Sequence, residues 1–266
     1  MNKVKMNIVT DPEDNECAMV RIVAKVEGDE FDFLLDTGAA LSRIKNCEYT
    51  LYYPKVRTKQ SYSVVSQSND VVIRIPSLRI GSLRKDGVEF TRVDTNDQQS
   101  NLLGMNVLKD LALFFDFQNN LLDINPENRS RIKGNDLYMD KNDHPYLSVM
   151  LKETVLAATY DTGASITIVD QAIFDTYPEH FEYVSDSKGE DANGNEVKTM
   201  TYLLTGLMID GNLFPPHHVV VLDLAYVNGV IEKKMDMILG YSTIKYFNWW
   251  FNFLSKKWSI SKFNKI

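Results

Sequence analysis

Two aspartates stand in nearly the same sequence surroundings in this chain. Asp36 lies in the stretch FDFLLDTGAALSRI and Asp161 in the stretch AATYDTGASITIV, each as the first residue of Asp-Thr-Gly. An apolar, strand-like run leads into each acid, where a carboxylate is unfavourable unless it is paired, hydrogen-bonded or used in chemistry. One isolated Asp-Thr-Gly would indicate a turn, because Asp and Gly are common turn residues. Two copies in matching surroundings favour a shared function.

The chemistry open to these residues depends on whether they meet. Two carboxyls a few ångströms apart cannot both ionise easily, so the pair holds one proton between them. The ionised member can deprotonate a water molecule while the protonated member protonates a carbonyl oxygen. Such a pair predicts hydrolysis of amide bonds with neither a metal nor a covalent intermediate.

A long internal repeat supplies the elements that would bring the acids together. Residues 102–124 align without gaps with residues 238–260, an offset of 136, and the two Asp-Thr-Gly copies are offset by 125. Both halves therefore carry the same landmarks in the same order. Two halves related by an approximate twofold axis can place Asp36 and Asp161 together on that axis.

Strands and turns dominate the pattern between these landmarks. Alternating apolar residues predict two strands before each Asp-Thr-Gly, in MVRIVAKV and FDFLL and again in YLSVML and TVLAATY. Each half also carries a predicted hairpin with a polar turn. The turns are formed by Ser68, Asn69 and Asp70 in the first half and by Asn193, Gly194 and Asn195 in the second.

Helix is scarce in the sequence. Residues 170–177 predict one short helix, with Asp170 as N-cap and Pro178 ending it, and the segments MNVLKDL and YSTIKYF predict two others. The polar segment 125–136 contains Pro and Gly and predicts a linker. We therefore expect two domains, residues 1–130 and residues 131–266.

The residues beside the two acids suit a shared site. Gly38 and Gly163 allow a tight turn and a close approach of the backbone, so that their amides can point at the carboxylates. Thr37 and Thr162 can hydrogen-bond across the axis and hold the two loops together.

Together these motifs resemble the aspartic protease family. The two Asp-Thr-Gly copies and the apolar-apolar-Gly elements at 102–104 and 238–240 carry the resemblance, and each half is similar to one retropepsin subunit or one pepsin lobe. The resemblance implies a mainly β, bilobal pepsin-like acid protease fold, in which two pseudo-twofold-related, retropepsin-like β-barrel lobes enclose a cleft. In this family a sheet joins the lobes, and the alternation of residues in the terminal segments KVKMNIV and KWSISKFNKI predicts that each supplies a strand to it.

The family's site residues carry over onto positions of this sequence. The catalytic dyad would be Asp36 and Asp161. The residues that support the dyad would be Thr37, Gly38, Ala39, Thr162, Gly163, Ala164 and Ser165. The hairpins would be flaps over the cleft, with the substrate-binding residues Tyr62, Ser68, Asn69, Asp70, Asn193, Gly194 and Asn195. The expected partner is a peptide or protein substrate in extended conformation, bound by a monomer that needs no cofactor.

One departure from pepsin-like enzymes concerns the residue after each Asp-Thr-Gly. Those enzymes usually carry Ser or Thr there, which donates a hydrogen bond to the carboxylate, whereas this chain has Ala39 and Ala164, as retropepsins do. Fewer donors to the ionised dyad should raise its apparent pKa values. We therefore expect a pH optimum less acidic than that of pepsin. The next residue differs between the halves, Ala40 against Ser165, so the two acids are not chemically equivalent.

Composition narrows the classes of function. The 266-residue chain has a net charge of −7, which argues against binding nucleic acid through phosphate contacts. No apolar stretch has the length of a membrane span or a signal peptide, and two cysteines do not make a disulfide scaffold. We therefore expect a cytoplasmic protein with no membrane partner.

Other polar and aromatic clusters have simpler interpretations. The four histidines show no metal-ligand spacing, and we expect the neighbouring His217 and His218 to be solvated, as we do the acidic run DPEDNE at 11–16. Three tryptophans in the last segment are expected to pack in the core. They are Trp249, Trp250 and Trp258.

Three functions remain open on the sequence alone. The leading hypothesis is an aspartic endopeptidase. The second is a catalytically silent, protease-like module that captures peptides in a cleft where they cannot be cut. The third is a scaffold whose halves only imitate protease repeats. Cleavage that is lost on substitution of either aspartate separates the first hypothesis from the other two.

Overall fold

The computed structural model describes residues 2–48, 50–62, 67–93, 100–126, 134–191 and 194–263. The predicted boundary between the domains, at residues 130 and 131, lies outside these ranges. In the described ranges the chain is mainly strand, with a few helices of one or two turns.

The first half of the chain begins with the strand that later joins the two halves. Its elements are β1 (Lys3–Lys5), β2 (Asn7–Thr10), β3 (Ala18–Val26), β4 (Asp29–Leu35), β5 (Ser42–Lys45), a 3₁₀ turn (Thr50–Tyr52), β6 (Lys55–Tyr62), β7 (Gln67–Ile80), β8 (Leu83–Val93), β9 (Leu102–Leu103), α1 (Met105–Leu108), β10 (Ala112–Asp116) and β11 (Leu121–Ile124).

The second half repeats this order with extra short elements. They are β12 (Asn135–Asp136), β13 (Tyr138–Met139), β14 (Pro145–Leu151), β15 (Thr154–Tyr160), β16 (Thr167–Asp170), α2 (Gln171–Thr176), a 3₁₀ turn (Pro178–His180), β17 (Phe181–Glu190), β18 (Glu196–Leu204), β19 (Leu207–Ile209), β20 (Asn212–Leu213), β21 (His217–Leu222), α3 (Ala225–Asn228), β22 (Met237–Leu239), α4 (Tyr241–Ile244), β23 (Asn248–Asn252) and β24 (Lys257–Ser261).

Two of the three sheets share one strand order. The first contains the run β3-β4-β9-β5-β8-β7-β6, and the second contains the run β14-β15-β22-β16-β21-β18-β17. Corresponding pairs also agree in direction, since β4–β9 and β15–β22 are parallel, as are β5–β8 and β16–β21. We call the sheet of β2 to β9 with α1 the first lobe, and the sheet of β13 to β22 with α2 to α4 the second lobe. The expected mainly β, bilobal fold is confirmed.

A third sheet joins the lobes with strands from both halves of the chain. Its order is β1-β11-β10-β23-β24-β12, and at its centre β10 pairs antiparallel with β23. The prediction that both terminal segments supply strands to a joining sheet is confirmed by β1 and β24. The three tryptophans expected in the core are buried, with Trp249 on β23 fully enclosed.

Alternation of apolar residues explains how the strands meet the core. Along β3 every second residue is buried, so Val20, Ile22 and Ala24 share the inward face. Under the second Asp-Thr-Gly an aromatic cluster fills the space between the lobes. The Tyr160 ring lies 4.5 Å from the ring of Phe251 and 5.0 Å from that of Trp249. This packing fixes the residue that directly precedes Asp161.

The predicted helices and one of the two predicted turns are confirmed. The helix after Asp170 is α2, and the segments MNVLKDL and YSTIKYF contain α1 and α4. Gly194, with φ of 82°, and Asn195 lie in the turn between β17 and β18, whereas Asn193 lies outside the described residues. Within the predicted linker, Asn135 and Asp136 form β12 and pair with β24.

The first predicted turn is wrong in its position. Ser68, Asn69 and Asp70 belong to β7 and pair with β6, with Asn69 opposite Gln60. The pairing of β6 with β7 extends to Tyr62 and Gln67, and residues 63–66 lie outside the described ranges. Polar residues can extend a strand here because the ladder satisfies their backbone groups.

The acidic run near the N-terminus is not a solvated face, which corrects the expectation for two of its residues. Asp14 Oδ2 lies 2.8 Å from His218 Nδ1, and Glu16 Oε2 lies 2.7 Å from Lys245 Nζ. Both partners belong to the second lobe. A matching pair joins the lobes on the other side, where Lys109 Nζ lies 2.9 Å from Asp143 Oδ2.

His217 is buried, contrary to the prediction of a solvated pair, because β21 enters the core at this residue. Its side chain lies between Pro215 O and Thr243 Oγ1, at 2.8 Å from each. Burial lowers the pKa of His217 to about 4, so the ring is neutral at neutral pH. None of the helices in the described residues is long and apolar enough to cross a membrane.

Candidate active site

The two Asp-Thr-Gly motifs occupy the same point in their lobes. Asp36 directly follows β4, and Asp161 directly follows β15. The amide of Asp36 donates to Leu103 O and the amide of Asp161 donates to Leu239 O, both at 3.0 Å. These carbonyls belong to the apolar-apolar-Gly elements, so the repeated landmark holds each aspartate at the end of its strand.

The two threonines bind the loops to each other across the lobe boundary. Thr37 Oγ1 donates to Tyr160 O at 2.8 Å, and Thr162 Oγ1 donates to Leu35 O at 2.6 Å. The amide of each threonine also donates to the hydroxyl of the other, at 3.2 and 3.1 Å. Both threonines have no exposed surface. The loops therefore form one rigid unit built equally from both lobes.

Each glycine lies against the aspartate of the opposite lobe. A Cβ atom at Gly163 would come within 2.6 Å of Asp36 Oδ1, and one at Gly38 within 2.7 Å of Asp161 Oδ1. Each glycine amide also donates to the Oδ1 atom of its own aspartate, at 3.0 Å for Gly38 and 2.8 Å for Gly163. The two carboxyls thus meet at one point, where only glycine leaves room for them.

The surroundings of Asp36 oppose the ionisation of its carboxyl. Burial, and after it the negative charge of Asp161, raises the pKa of Asp36 above its usual range. The positive charge of Arg43 and the amides of Ala39 and Gly38 act in the opposite direction. The mutual repulsion is the one expected of two carboxyls that share a site.

Burial also raises the pKa of Asp161. The amide of Gly163 opposes this rise, as does His144 when its imidazole carries a positive charge. The neighbours of the two acids therefore differ, with Arg43 near Asp36 and His144 near Asp161. This supports the inference from Ala40 and Ser165 that the acids are not equivalent.

The site is reachable from one side. Asp36 and Asp161 keep a fraction of their surface exposed, whereas Thr37 and Thr162 beneath them are enclosed. A pair of carboxyls with raised pKa values holds a proton at a pH at which free carboxyls are ionised. The arrangement can therefore supply one acid and one base to a group that enters from the exposed side.

The other residues predicted to support the dyad lie in the same loops. Ala39 O accepts from the Met105 amide at 2.7 Å, and Ala164 O accepts from the Tyr241 amide at 2.9 Å. These contacts fasten the loops to the first residues of α1 and α4. Ser165 O accepts from the amide of Ala18 in the first lobe at 3.4 Å.

A ring of polar residues behind the dyad was not found from the sequence. Ser42 Oγ accepts from the Gly104 amide at 2.9 Å, and Thr167 Oγ1 accepts from the Gly240 amide at 3.0 Å. The Ser42 amide donates to Asn106 Oδ1, and the Thr167 amide donates to the hydroxyl of the residue at the matching position, Ser242. The repeat offset of 125 relates Ser42 to Thr167, and the offset of 136 relates Asn106 to Ser242. These offsets could have identified the residues from the sequence.

The hairpin residues predicted as flaps make contacts within their own hairpins. Ser68 Oγ donates to Asp70 Oδ1 at 2.9 Å, and the Asn195 amide donates to Asp191 Oδ1 at 2.8 Å. Tyr62 is the last residue of β6 and pairs with Gln67. Their contact with a substrate remains a prediction.

The described residues contain no group of three or more His, Cys, Asp or Glu side chains arranged to hold a metal ion. Cys17 and Cys47 are free thiols.

Part of the chain is similar to a known protein family. Residues 22–110 match the model of the family described as gag-polyprotein putative aspartyl protease. The matched segment covers a third of the chain and contains Asp36 and the first apolar-apolar-Gly element, but not the second Asp-Thr-Gly. None of the curated proteins compared with the chain matches it. The match supports a protease-like function for the first lobe.

Proposed function

We propose that this protein is an aspartic endopeptidase whose single active site is formed by Asp36 and Asp161. The observation that carries the proposal is the crossed contact in which each aspartate lies against the glycine of the other lobe. Neither lobe has a complete site alone. The family match of the first lobe and the repeated strand order of the second support the same conclusion.

The proposed reaction uses the proton that the two carboxyls share. The ionised carboxyl removes a proton from a water molecule, whose oxygen bonds to the peptide carbonyl carbon, while the protonated carboxyl gives its proton to the carbonyl oxygen. The resulting diol then collapses. The ionised carboxyl takes a proton from one diol hydroxyl as the C=O bond reforms, the protonated carboxyl gives its proton to the nitrogen, and the C–N bond breaks. The nitrogen leaves as an amine and one proton remains on the pair.

The surroundings of the dyad favour this chemistry. The rigid threonine contacts hold the two carboxyls in position without movement, and this preorganisation lowers the cost of the reaction. The amides of Gly38 and Gly163 donate to the carboxylates and keep the pair from taking up a second proton at moderate pH.

We further propose that the protein works as a cytoplasmic monomer on extended peptides. Two Asp-Thr-Gly loops in one chain complete the site without a second copy, and both cysteines are free. The hairpins β6–β7 and β17–β18 stand at the ends of their strand runs, where a peptide can add as a further strand.

A digest of a peptide library tests the proposal. The wild-type protein should cut peptides, a statine-type inhibitor should block the cutting, and Asp36→Asn and Asp161→Asn should each abolish it. Peptides that bind the wild-type protein but are never cut would favour the alternative of a silent binding module. Cleavage that survives both substitutions would refute the dyad.

A further inference from the structure

A basic recess adjoins the first dyad loop. It is a cavity of about 680 Å³ that begins at Ala40 and Leu41, the residues that follow Asp-Thr-Gly and Ala39. Its walls come from both lobes, because Lys141, Asn142 and Asp143 of the second lobe close one side. Six cations line it, namely Arg57, Lys59, Arg74, Lys85, Lys109 and Lys141.

The positive charge of the basic recess is only partly neutralised by its own residues. Three acids line it, and one of them, Glu89, serves two arginines, Arg57 at 2.7 Å and Arg74 at 3.0 Å. Lys109 is paired with Asp143. Lys85 and Asp86 have partners outside the recess, Asp110 and Arg84 respectively. The six lining cations outnumber the three lining acids and leave a local excess of positive charge on a chain whose net charge is −7.

Among the cations of the basic recess, Lys59 is the strongest candidate to bind an incoming anion. Within the described residues, its side chain takes part in no salt bridge, and it is half-buried on β6. Burial, followed by the neighbouring charge of Arg57, lowers its pKa, while Asp70 acts in the opposite direction. A lysine held in this way gains from any carboxylate that enters the recess.

The recess distinguishes the two ends of the site. In the first lobe the hairpin strand β6 reads KVRTKQSY, with three cations and no acid. In the second lobe the corresponding strand β17 reads FEYVSDSKGE, with three acids and one lysine. Arg57 and Lys59 are two residues apart and share one face of β6. A peptide that crosses the site thus meets positive charge on the side of the first lobe.

We propose that the basic recess selects substrates that carry an acidic side chain, Asp or Glu, on the first-lobe side of the scissile bond. The inference rests on the proposed function and narrows it to a substrate class. The carboxylate would bind Lys59, with the excess charge of the Arg57–Glu89–Arg74 group behind it. Charge-assisted hydrogen bonds of this kind are about twice as strong as neutral ones.

Matched peptides provide the test. A cleavable sequence from the library is varied one position at a time, with Glu, Gln or Lys at each position on either side of the cut. At one position the wild-type protein should prefer Glu over Gln by about 10- to 100-fold in kcat/KM. The preference should shrink when the salt concentration rises from 0.1 M to 1 M, because the Debye length falls to about 3 Å and the charges are screened from each other.

Variants tie the preference to the recess. Lys59→Gln should remove most of the preference for the Glu peptide over the Gln peptide, and Lys59→Glu should reverse the preference in favour of the Lys peptide. Lys141→Gln removes a positive charge that the second lobe supplies to the recess, and it should reduce the preference for the Glu peptide. The matched control is Lys55→Gln, which removes a charge from the same strand but not from the recess.

The outcomes separate this inference from the proposed function. Cleavage with no preference for acidic peptides, or a preference that Lys59→Glu leaves unchanged, refutes the inference and leaves the protease intact. If the wild-type protein cuts no peptide at all, the proposed function is refuted, and the inference that rests on it is refuted with it.

Discussion

Thr37 and Thr162 exchange hydrogen bonds across the boundary between the lobes, the amide of each donating to the hydroxyl of the other. Each hydroxyl donates onward to a backbone carbonyl of the opposite lobe, so both hydroxyls and both amides of this pair have partners. The same interaction therefore stabilises the fold and aligns the dyad.

Removal of one threonine hydroxyl should weaken both the stability of the fold and the alignment of the dyad. Thr37→Val keeps the shape of the side chain but leaves the Tyr160 carbonyl and the Thr162 amide without that partner. Each buried group left unsatisfied costs about 1–3 kcal/mol. We expect a lower free energy of unfolding, measured by denaturant titration, and a lower kcat. Thr37→Ser, which keeps the hydroxyl, should be milder; equal stability of the Val and Ser variants would contradict this role.

The alanines after the two Asp-Thr-Gly motifs should set the pH range of activity. The raised pKa values mean that the pair keeps its one proton to a higher pH than a free carboxyl does, so activity should extend above pH 4, near the usual pKa. On the alkaline side, activity should fall when the pH passes the raised value, and on the acidic side it should fall when the pair takes up a second proton. A pH–rate profile that peaks below about pH 3 would contradict this.

Ala39→Ser and Ala164→Ser test the cause of that pH range. A hydroxyl that donates to the ionised dyad stabilises the charged form and lowers its pKa. We expect the pH–rate profile to move to lower pH by up to about one unit. Ala172→Ser, at an exposed position of α2 outside the dyad loops, is the control and should leave the profile in place.

His217 should make the protein less stable as the pH falls. Its pKa is about 4 in the folded state and near 6.5 in the unfolded chain, so the unfolded state binds more protons between these values. Stability is therefore full above about pH 6.5 and is lost as the pH falls towards 4, by about 2–4 kcal/mol.

His217→Gln removes this titration and can still reach the hydroxyl of Thr243. Denaturant unfolding of both proteins at pH 7 and at pH 4.5 measures the difference. The wild-type protein should lose more stability between the two pH values than the variant does. Parallel losses would show that the histidine does not titrate in this way.

Tyr160 carries a buried hydroxyl that has no hydrogen-bond partner among the described residues. A buried polar group without a partner is unfavourable, so Tyr160→Phe should raise the free energy of unfolding by about 1–2 kcal/mol. Tyr146→Phe is the matched control, because the Tyr146 hydroxyl donates to Lys233 O at 2.6 Å. Calorimetry should show the first variant stabilised and the second destabilised; a destabilised Tyr160→Phe would refute the prediction.

Local patterns explain what the sequence predicts correctly. Alternating apolar residues define the strands, and the repeat of Asp-Thr-Gly with a later apolar-apolar-Gly element defines two equivalent halves. Pseudo-symmetry then places Asp36 beside Asp161 without any knowledge of the loops. The short helices follow from local signals as well, including Asp170 before α2.

Features that depend on how the lobes meet are beyond such patterns. Asp14 and Glu16 form an acidic run in sequence, yet their partners lie more than 200 residues away. His217 looks polar beside His218, but the sheet buries only the first of the two deeply. The basic recess is built from six separate segments of the chain, so its charge is visible only after folding.

The central claim is that two halves of one chain form a single catalytic site. The most direct test measures kcat/KM on one cleavable peptide for the wild-type protein, Asp36→Asn, Asp161→Asn and the double variant. The variants should fold, because raised pKa values mean that the ionised carboxyls oppose folding at neutral pH. We predict that each single substitution lowers kcat/KM by about 10²- to 10⁴-fold or more and that the double substitution lowers it no further. The account would be contradicted if the fold-losses in kcat/KM of the two single variants multiplied in the double variant. It would also be contradicted if either single variant kept wild-type activity.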